Sequence, residues 1–203
     1  MIKVYGSPVS TCTRRVLMTL LETNTPYELC AVDFAKAEHK QEANLRRQPF
    51  GQVPSIDDDG FALFESRAIC RYLSEKAKMV LTPTDLAKRA MMEQWLSVEQ
   101  SNFSPNAMKF IYEFTFKRPQ APGVLDAAMS MIETTYAAIS EPLAKSPFLA
   151  GDQFTVADIS YMPYIEYLAS SPAKAALDKH PHVAAWWARI SQRPTWGKVV
   201  GRP

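Results

Sequence analysis

Phe50-Gly51-Gln52-Val53-Pro54-Ser55-Ile56-Asp57-Asp58-Asp59-Gly60-Phe61-Ala62-Leu63-Phe64-Glu65-Ser66-Arg67-Ala68-Ile69-Cys70-Arg71-Tyr72-Leu73 is the stretch that decides the fold. Two short apolar runs flank an acidic Asp-Asp-Gly turn, and Asp and Gly tolerate the left-handed backbone of a tight hairpin. The second run ends at Glu65-Ser66, where a strand gives way to a helix. A small hydroxyl there is expected to cap free backbone N–H groups, and the helix dipole favours an anion. The break therefore reads as a pocket for a carboxylate or a phosphate. Val53-Pro54 opens the hairpin, and proline at the head of a strand keeps its neighbours out of the ladder. A cis bond there turns the Val53 backbone outward, towards a ligand.

Working back from the hairpin, Met1-Ile2-Lys3-Val4-Tyr5 is a short strand and Gly6-Ser7-Pro8 turns it into a helix. Val16, Leu17, Leu20 and Leu21 recur at helical spacing, with Ser10 near the helix start. Tyr27 to Val32 is a second strand, which gives a right-handed βαβ unit. Phe34 to Gln48 is polar and irregular. The order is then βαβ, an irregular segment, and ββα, which is the thioredoxin-like one. The seven glycines form neither a G-x-G-x-x-G nor a P-loop pattern, so the first turn carries no phosphate cradle of those kinds.

Working forward, the composition changes between Glu75 and Lys88, and no strand signal follows. Lys88 to about Phe116 is a long helical pattern that Ser104-Pro105-Asn106 is expected to kink or split. Arg118 to Gly123 is a loop, and Val124 to Lys145 is a further helix. Phe154-Thr155-Val156-Ala157-Asp158 has the Thr-x-x-Asp spacing of a capping box with an apolar residue before it. Trp186 and Trp187 lie in a last amphipathic stretch and are expected to pack. The expected organisation is a first domain over 1–78, a linker over 79–87 and an all-helical domain over 88–203.

The 203 residues are 47% hydrophobic and 22% charged, with a formal net charge of +2, which is a globular composition with no polyanion partner implied. Arg14-Arg15 and Arg46-Arg47 lack the interleaved aromatic residues of a single-strand nucleic-acid site and read as solvated faces. No run approaches the ~20 apolar residues of a membrane span, and no apolar leader precedes the first strand. A cytoplasmic location is expected, with neither nucleic acid nor membrane as partner. Cys12, Cys30 and Cys70 make no Cys-x-x-Cys pair and do not combine with His39, His180 or His182 at zinc spacing, so no metal is expected. Cys30 and Cys70 sit among apolar neighbours and read as buried thiols. Cys12, near a helix start, is the one placed to be reactive.

The Phe-Gly-Gln-Val-Pro turn followed by Phe-Glu-Ser-Arg-Ala-Ile resembles the glutathione site of cytosolic glutathione transferases, and the phi class most closely. The capping box at Thr155 and the Trp186-Trp187 helix resemble later parts of the same family, so the likeness spans the chain. It implies an α+β, thioredoxin-like N-terminal domain followed by an all-α C-terminal domain, and an enzyme that joins the glutathione thiolate to hydrophobic electrophiles, with hydroperoxide reduction as a second activity. Glutathione is the implied co-substrate. A homodimer is implied too, because the family pairs its first domain with the partner's helical domain and Phe50 resembles the apolar key that some members insert there.

Residue by residue, the resemblance places His39 and Lys40 on the glycine carboxylate of glutathione, although alone they read as part of a solvated loop. Gln52, with the Val53 backbone beside Pro54, would hold the middle of the tripeptide. Glu65 would take the γ-glutamyl ammonium and Ser66 its carboxylate. Ser10 matches the activating serine, a hydrogen-bond donor to sulfur. Cys12 departs from the simplest version of that pattern and leaves open a thiol transferase that uses it as nucleophile, while transferase-like domains that serve as ligand carriers or assembly modules form a third reading. An electrophile needs apolar surface, for which Phe34, Met108, Ile111, Tyr112, Phe114 and Phe116 are the candidates. The angular step of ~100° per residue separates Cys12 from Ser10 by about 200°, so one thiol cannot comfortably face both.

Overall fold

The computed structural model describes residues 1–202. Its elements divide into two compact units, one of Met1–Thr82 together with the segment from Pro194, the other Pro83–Arg193. The boundary falls inside the stretch 79–87.

In the first unit, β1 (Ile2–Gly6), α1 (Thr11–Glu22) and β2 (Tyr27–Ala31) form the βαβ turn, with β1 and β2 parallel. The polar stretch after β2 is less irregular than its composition suggests. It holds a 3₁₀ turn at Glu38–Lys40 and a four-residue helix, α2 (Glu42–Leu45). The hairpin strands β3 (Ser55–Asp58) and β4 (Phe61–Phe64) then run antiparallel and complete a sheet of order β2-β1-β3-β4. Asp59 and Gly60 both have positive φ, 52° and 94°, the combination that matches the right-handed twist of a two-residue hairpin. Period-two alternation puts Ile2 and Val4 inside and Lys3 outside, and Ile56 of β3 joins them in the core. Val16, Leu17 and Leu20 of α1, with Ile69 and Leu73 of α3 (Ser66–Lys76), cover one face of that sheet.

Gly6 is needed by the close approach of α1. A Cβ there would lie 2.6 Å from Thr13 Oγ1, so the first turn of α1 can sit on the end of β1 only over a bare backbone. The Arg14-Arg15 pair is not a solvated face, because Arg15 is fully buried. Amphipathic reasoning assigns a helix one wet side, but α1 packs against α3 and also against α10 (Pro194–Val200). Arg47 likewise lies over the Tyr5 ring, 3.9 Å from its centroid. Cys70 is buried as expected, whereas Cys30, on the outer strand β2, is only half-buried. The last helix, α10, follows the helical unit in sequence yet belongs to the first, because it docks on α1 and places Trp196 in that core.

The second unit is all-helical. α4 (Leu86–Val98) and α5 (Ser104–Phe110) are joined by a π-helical turn at Glu99–Phe103, and a second π-helical turn follows at Ile111–Thr115. Pro105 sits just after the wider turn, and its missing N–H removes one regular bond from a run that is helical on both sides. α6 (Val124–Lys145), α7 (Val156–Leu168), α8 (Lys174–Asp178) and α9 (Pro181–Ser191) follow. α7 is buried almost all round and begins at the Thr155 capping box. The fully buried Asp158 carboxylate accepts from the Leu149 and Thr155 N–H groups, from the Thr155 hydroxyl and from the Trp186 indole N–H at 3.0 Å. Trp186 is thus a packing residue with a polar anchor. Burial raises the Asp158 pKa, and those donors oppose the shift.

Candidate functional site

Three loops of the first unit meet in a cleft lined by Cys12, Gln48, Gln52, Val53, Pro54, Glu65, Ser66 and Arg67. The Val53-Pro54 peptide is cis. Glu65 holds φ +70°, an uncommon backbone for a side chain other than glycine, at the residue before α3. Its side chain is exposed, whereas Ser66 is buried.

Ser66 is not the cap of α3. It is the first helical residue, and Glu65, at the cap position, makes no side-chain cap bond. The Ser66 hydroxyl instead accepts a hydrogen bond from Arg15 Nη1 at 3.0 Å. Cys70, one turn further along α3, donates its thiol to the Arg15 carbonyl at 3.7 Å, and burial pushes the pKa of that thiol up to about 11. It stays protonated and structural.

Ser10, His39 and Lys40 do not line the cleft, but each is tied to something that does. Ser10 caps α1, its oxygen accepting from the Thr13 N–H at 3.3 Å, two residues before Cys12. Asn44 is nearly fully buried and donates to the carbonyls of both His39, at 3.0 Å, and Gln52, at 3.2 Å. Gln48 Oε1 accepts from the Gln52 N–H at 3.0 Å. Lys40 reaches back to the Phe50 carbonyl at 3.2 Å, passing over Gly51, where a Cβ would meet its Cδ at 2.7 Å. The His39 ring is edge-on to Phe34. Sequence reasoning missed Asn44, Gln48 and Arg15. The four-residue spacing of Asn44, Gln48 and Gln52 is the one signal that could have found the first two.

The apolar candidates are scattered in their environments. Ile111 is buried in the helical core, Tyr112 is exposed, and Met108, Phe114 and Phe116 are half-buried, with Tyr112 and Phe116 in ring contact. Phe34, in the first unit, is exposed. Among the described residues no group of three or more His, Cys, Asp or Glu side chains could hold a metal ion, and no helix is long and apolar enough to cross a membrane.

Residues 1–75 match the family model for the glutathione S-transferase N-terminal domain and residues 103–194 the model for its C-terminal domain. Glutathione S-transferase PARB of Nicotiana tabacum is 39% identical over 97% of this chain and 96% of its own length. The chain belongs to the glutathione S-transferase family. Its relatives in that family include glutathione S-transferase F6 of Arabidopsis thaliana, 37% identical over 98% of this chain and 99% of that one. A solved glutathione transferase of Populus trichocarpa superposes with a TM-score of 0.93 at 38% identity, covering 99% of this chain and 98% of the other. A glutathione S-transferase I solved with lactoylglutathione has a TM-score of 0.91 at 32% identity over 98% of each chain. The phi-like resemblance read from the hairpin therefore holds. This transferase uses glutathione as co-substrate, and a thioredoxin-like domain carries the cleft.

Proposed function

We propose that this transferase conjugates the glutathione thiolate to hydrophobic electrophiles, with Ser10 as the hydrogen-bond donor to sulfur. The observation that carries the reading is the Ser10 hydroxyl itself. Its oxygen accepts from the Thr13 N–H at the positive end of α1, so its own proton is free to be donated to an anion. A thiol of pKa ~8.5 needs ~2.7 kcal/mol of preferential thiolate stabilisation to ionise two units lower. A polarised hydroxyl and a helix N-terminus together are of that order. Ser10 need not ionise.

His39 and Lys40 hold the glycine carboxylate, Gln52 and the Val53 backbone the middle of the tripeptide, and Glu65 and Ser66 the γ-glutamyl ammonium and carboxylate. Asn44 and Gln48 keep these loops in register. Met108, Tyr112, Phe114 and Phe116 offer apolar surface for the electrophile. The same thiolate reduces organic hydroperoxides. The protein works in the cytoplasm as a homodimer.

One observation favours a second reading. Cys12 lines the cleft and Ser10 does not, which suits thiol transfer through a Cys12–glutathione mixed disulfide. Conjugation of a chloronitrobenzene and reduction of a mixed disulfide, measured side by side, separate the two. Ser10→Ala is expected to lower conjugation about tenfold or more, equivalent to ~1.4 kcal/mol in the transition state, while Cys12→Ser keeps it. Loss of turnover in Cys12→Ser, with a Cys12–glutathione adduct in the wild type by mass spectrometry, would overturn the Ser10 assignment.

A further inference from the structure

Arg15 is one of the largest fully buried side chains in the protein, and its guanidinium donates to the one hydroxyl of the cleft that belongs to α3. Burying a guanidinium is costly, and it cannot shed its proton to reduce that cost. Its position therefore invites a reason beyond packing. By accepting from Arg15, the Ser66 oxygen is held in one orientation and its own proton is turned away from the cation. Ser66 is also the first residue of α3, where the free N–H groups of the first turn already favour an anion. A permanent positive charge behind that hydroxyl polarises it further, in surroundings from which water is excluded. The contact between the Cys70 thiol and the Arg15 carbonyl fixes α1 against α3 at this point.

We propose that Arg15 is a positioning residue for glutathione. Acting through Ser66, it orients and polarises the donor that meets the α-carboxylate of the γ-glutamyl end. Arg15 touches neither the thiol nor the electrophile and so acts on binding rather than on the chemical step. The inference rests on the reading of Ser66 as the carboxylate donor, and the experiment separates the two.

The probes are glutathione and its analogue in which the γ-glutamyl α-carboxylate is an amide, titrated by calorimetry against the dimeric or monomeric protein as it is purified. The wild type is expected to bind the acid about tenfold or more tightly over the amide, a charge-assisted hydrogen bond being replaced by a neutral one. Arg15→Met should lower that ratio at least about threefold, the N–H groups of α3 remaining, and Arg15→Lys, which keeps the charge without the fork, should lie between. In conjugation assays the loss should fall on the KM for glutathione more than on kcat. Circular dichroism reports whether each variant is folded, and Arg15→Lys carries the test if Arg15→Met is not. If the wild type binds acid and amide alike, or Ser66→Ala keeps the preference, the Ser66 reading fails and this proposal with it. If Ser66→Ala loses the preference while folded Arg15 variants keep it, Ser66 stands and Arg15 is a packing residue only, which overturns the proposal.

Discussion

Glu65 holds φ +70° and ψ +103°, at the entry to the helix whose first residue lines the cleft. A non-glycine residue in such a region costs of order 1–3 kcal/mol, and the rest of the fold has to offset it. Glycine ordinarily destabilises by about 0.5–1 kcal/mol relative to alanine, because it has more freedom to lose. Here the strain exceeds that difference, so the usual ranking should invert. Glu65→Gly is expected to melt at or above the temperature of Glu65→Ala, with both losing affinity for glutathione. A calorimetric scan of the two variants checks it, and a clearly lower melting temperature for Glu65→Gly would show that the position is unstrained. Arg15 and Asn44 belong to this scale too, since each is a buried polar side chain whose partners lie in the cleft or its supporting loop.

Between elements, the hairpin is clamped to α3 by Asp58 at the end of β3. Its buried carboxylate accepts from Tyr72 at 2.6 Å and pairs with Lys76. The Lys76 and Tyr72 hydrogen bonds hold the Asp58 pKa below its ordinary value. A carboxyl whose pKa is lower in the folded state stabilises the fold above its unfolded pKa, ~3.9, and that contribution is lost as pH falls through the folded value. The wild type should therefore lose stability steeply below ~pH 4. Asp58→Asn, which cannot ionise, should be less stable near neutrality and show a flatter acid limb. Urea midpoints measured from pH 7 down to pH 2 decide it, and parallel curves for the two proteins would remove Asp58 from the account. In the helical unit the fully buried Tyr136 hydroxyl has no hydrogen-bond partner among the described residues, and burial raises its pKa. An unsatisfied buried hydroxyl costs about 1–3 kcal/mol, so Tyr136→Phe should raise the melting temperature rather than lower it.

For the whole molecule, association is governed by the apolar side chains that the fold leaves exposed. Phe50 is 66% exposed although it precedes the buried Gly51, and its ring stands edge-to-face with that of Phe64. Large apolar side chains left exposed are candidates for a contact surface, and Phe61 and Val80 of the same unit are exposed as well. The proposed homodimer is expected to persist at micromolar concentration, and Phe50→Ser to shift it towards monomer. Light scattering across a dilution series measures both. A wild-type monomer would remove Phe50 as a dimer key and leave the cleft assignments untouched.

The hairpin, the helix break at Glu65-Ser66 and the Thr155 capping box were legible because each is local chemistry. Turn residues and cap spacing are set by backbone sterics within a few residues, and the chain obeys them at the Asp59-Gly60 turn and at the start of α7. Gln52, Val53, Glu65 and Ser66, the residues proposed for glutathione, line one cleft because they are carried at the two ends of one hairpin and on the helix that leaves it. Only the tertiary structure decided what meets across the chain. Arg15 lies 51 positions from Ser66, and nothing in Arg14-Arg15 marks one guanidinium as buried and its neighbour as partly exposed. The docking of α10 on α1 is equally silent in the sequence, because an amphipathic helix shows that it needs a partner without naming one. Local sterics fix elements, whereas burial and the pairing of buried charge depend on which distant surfaces close over them.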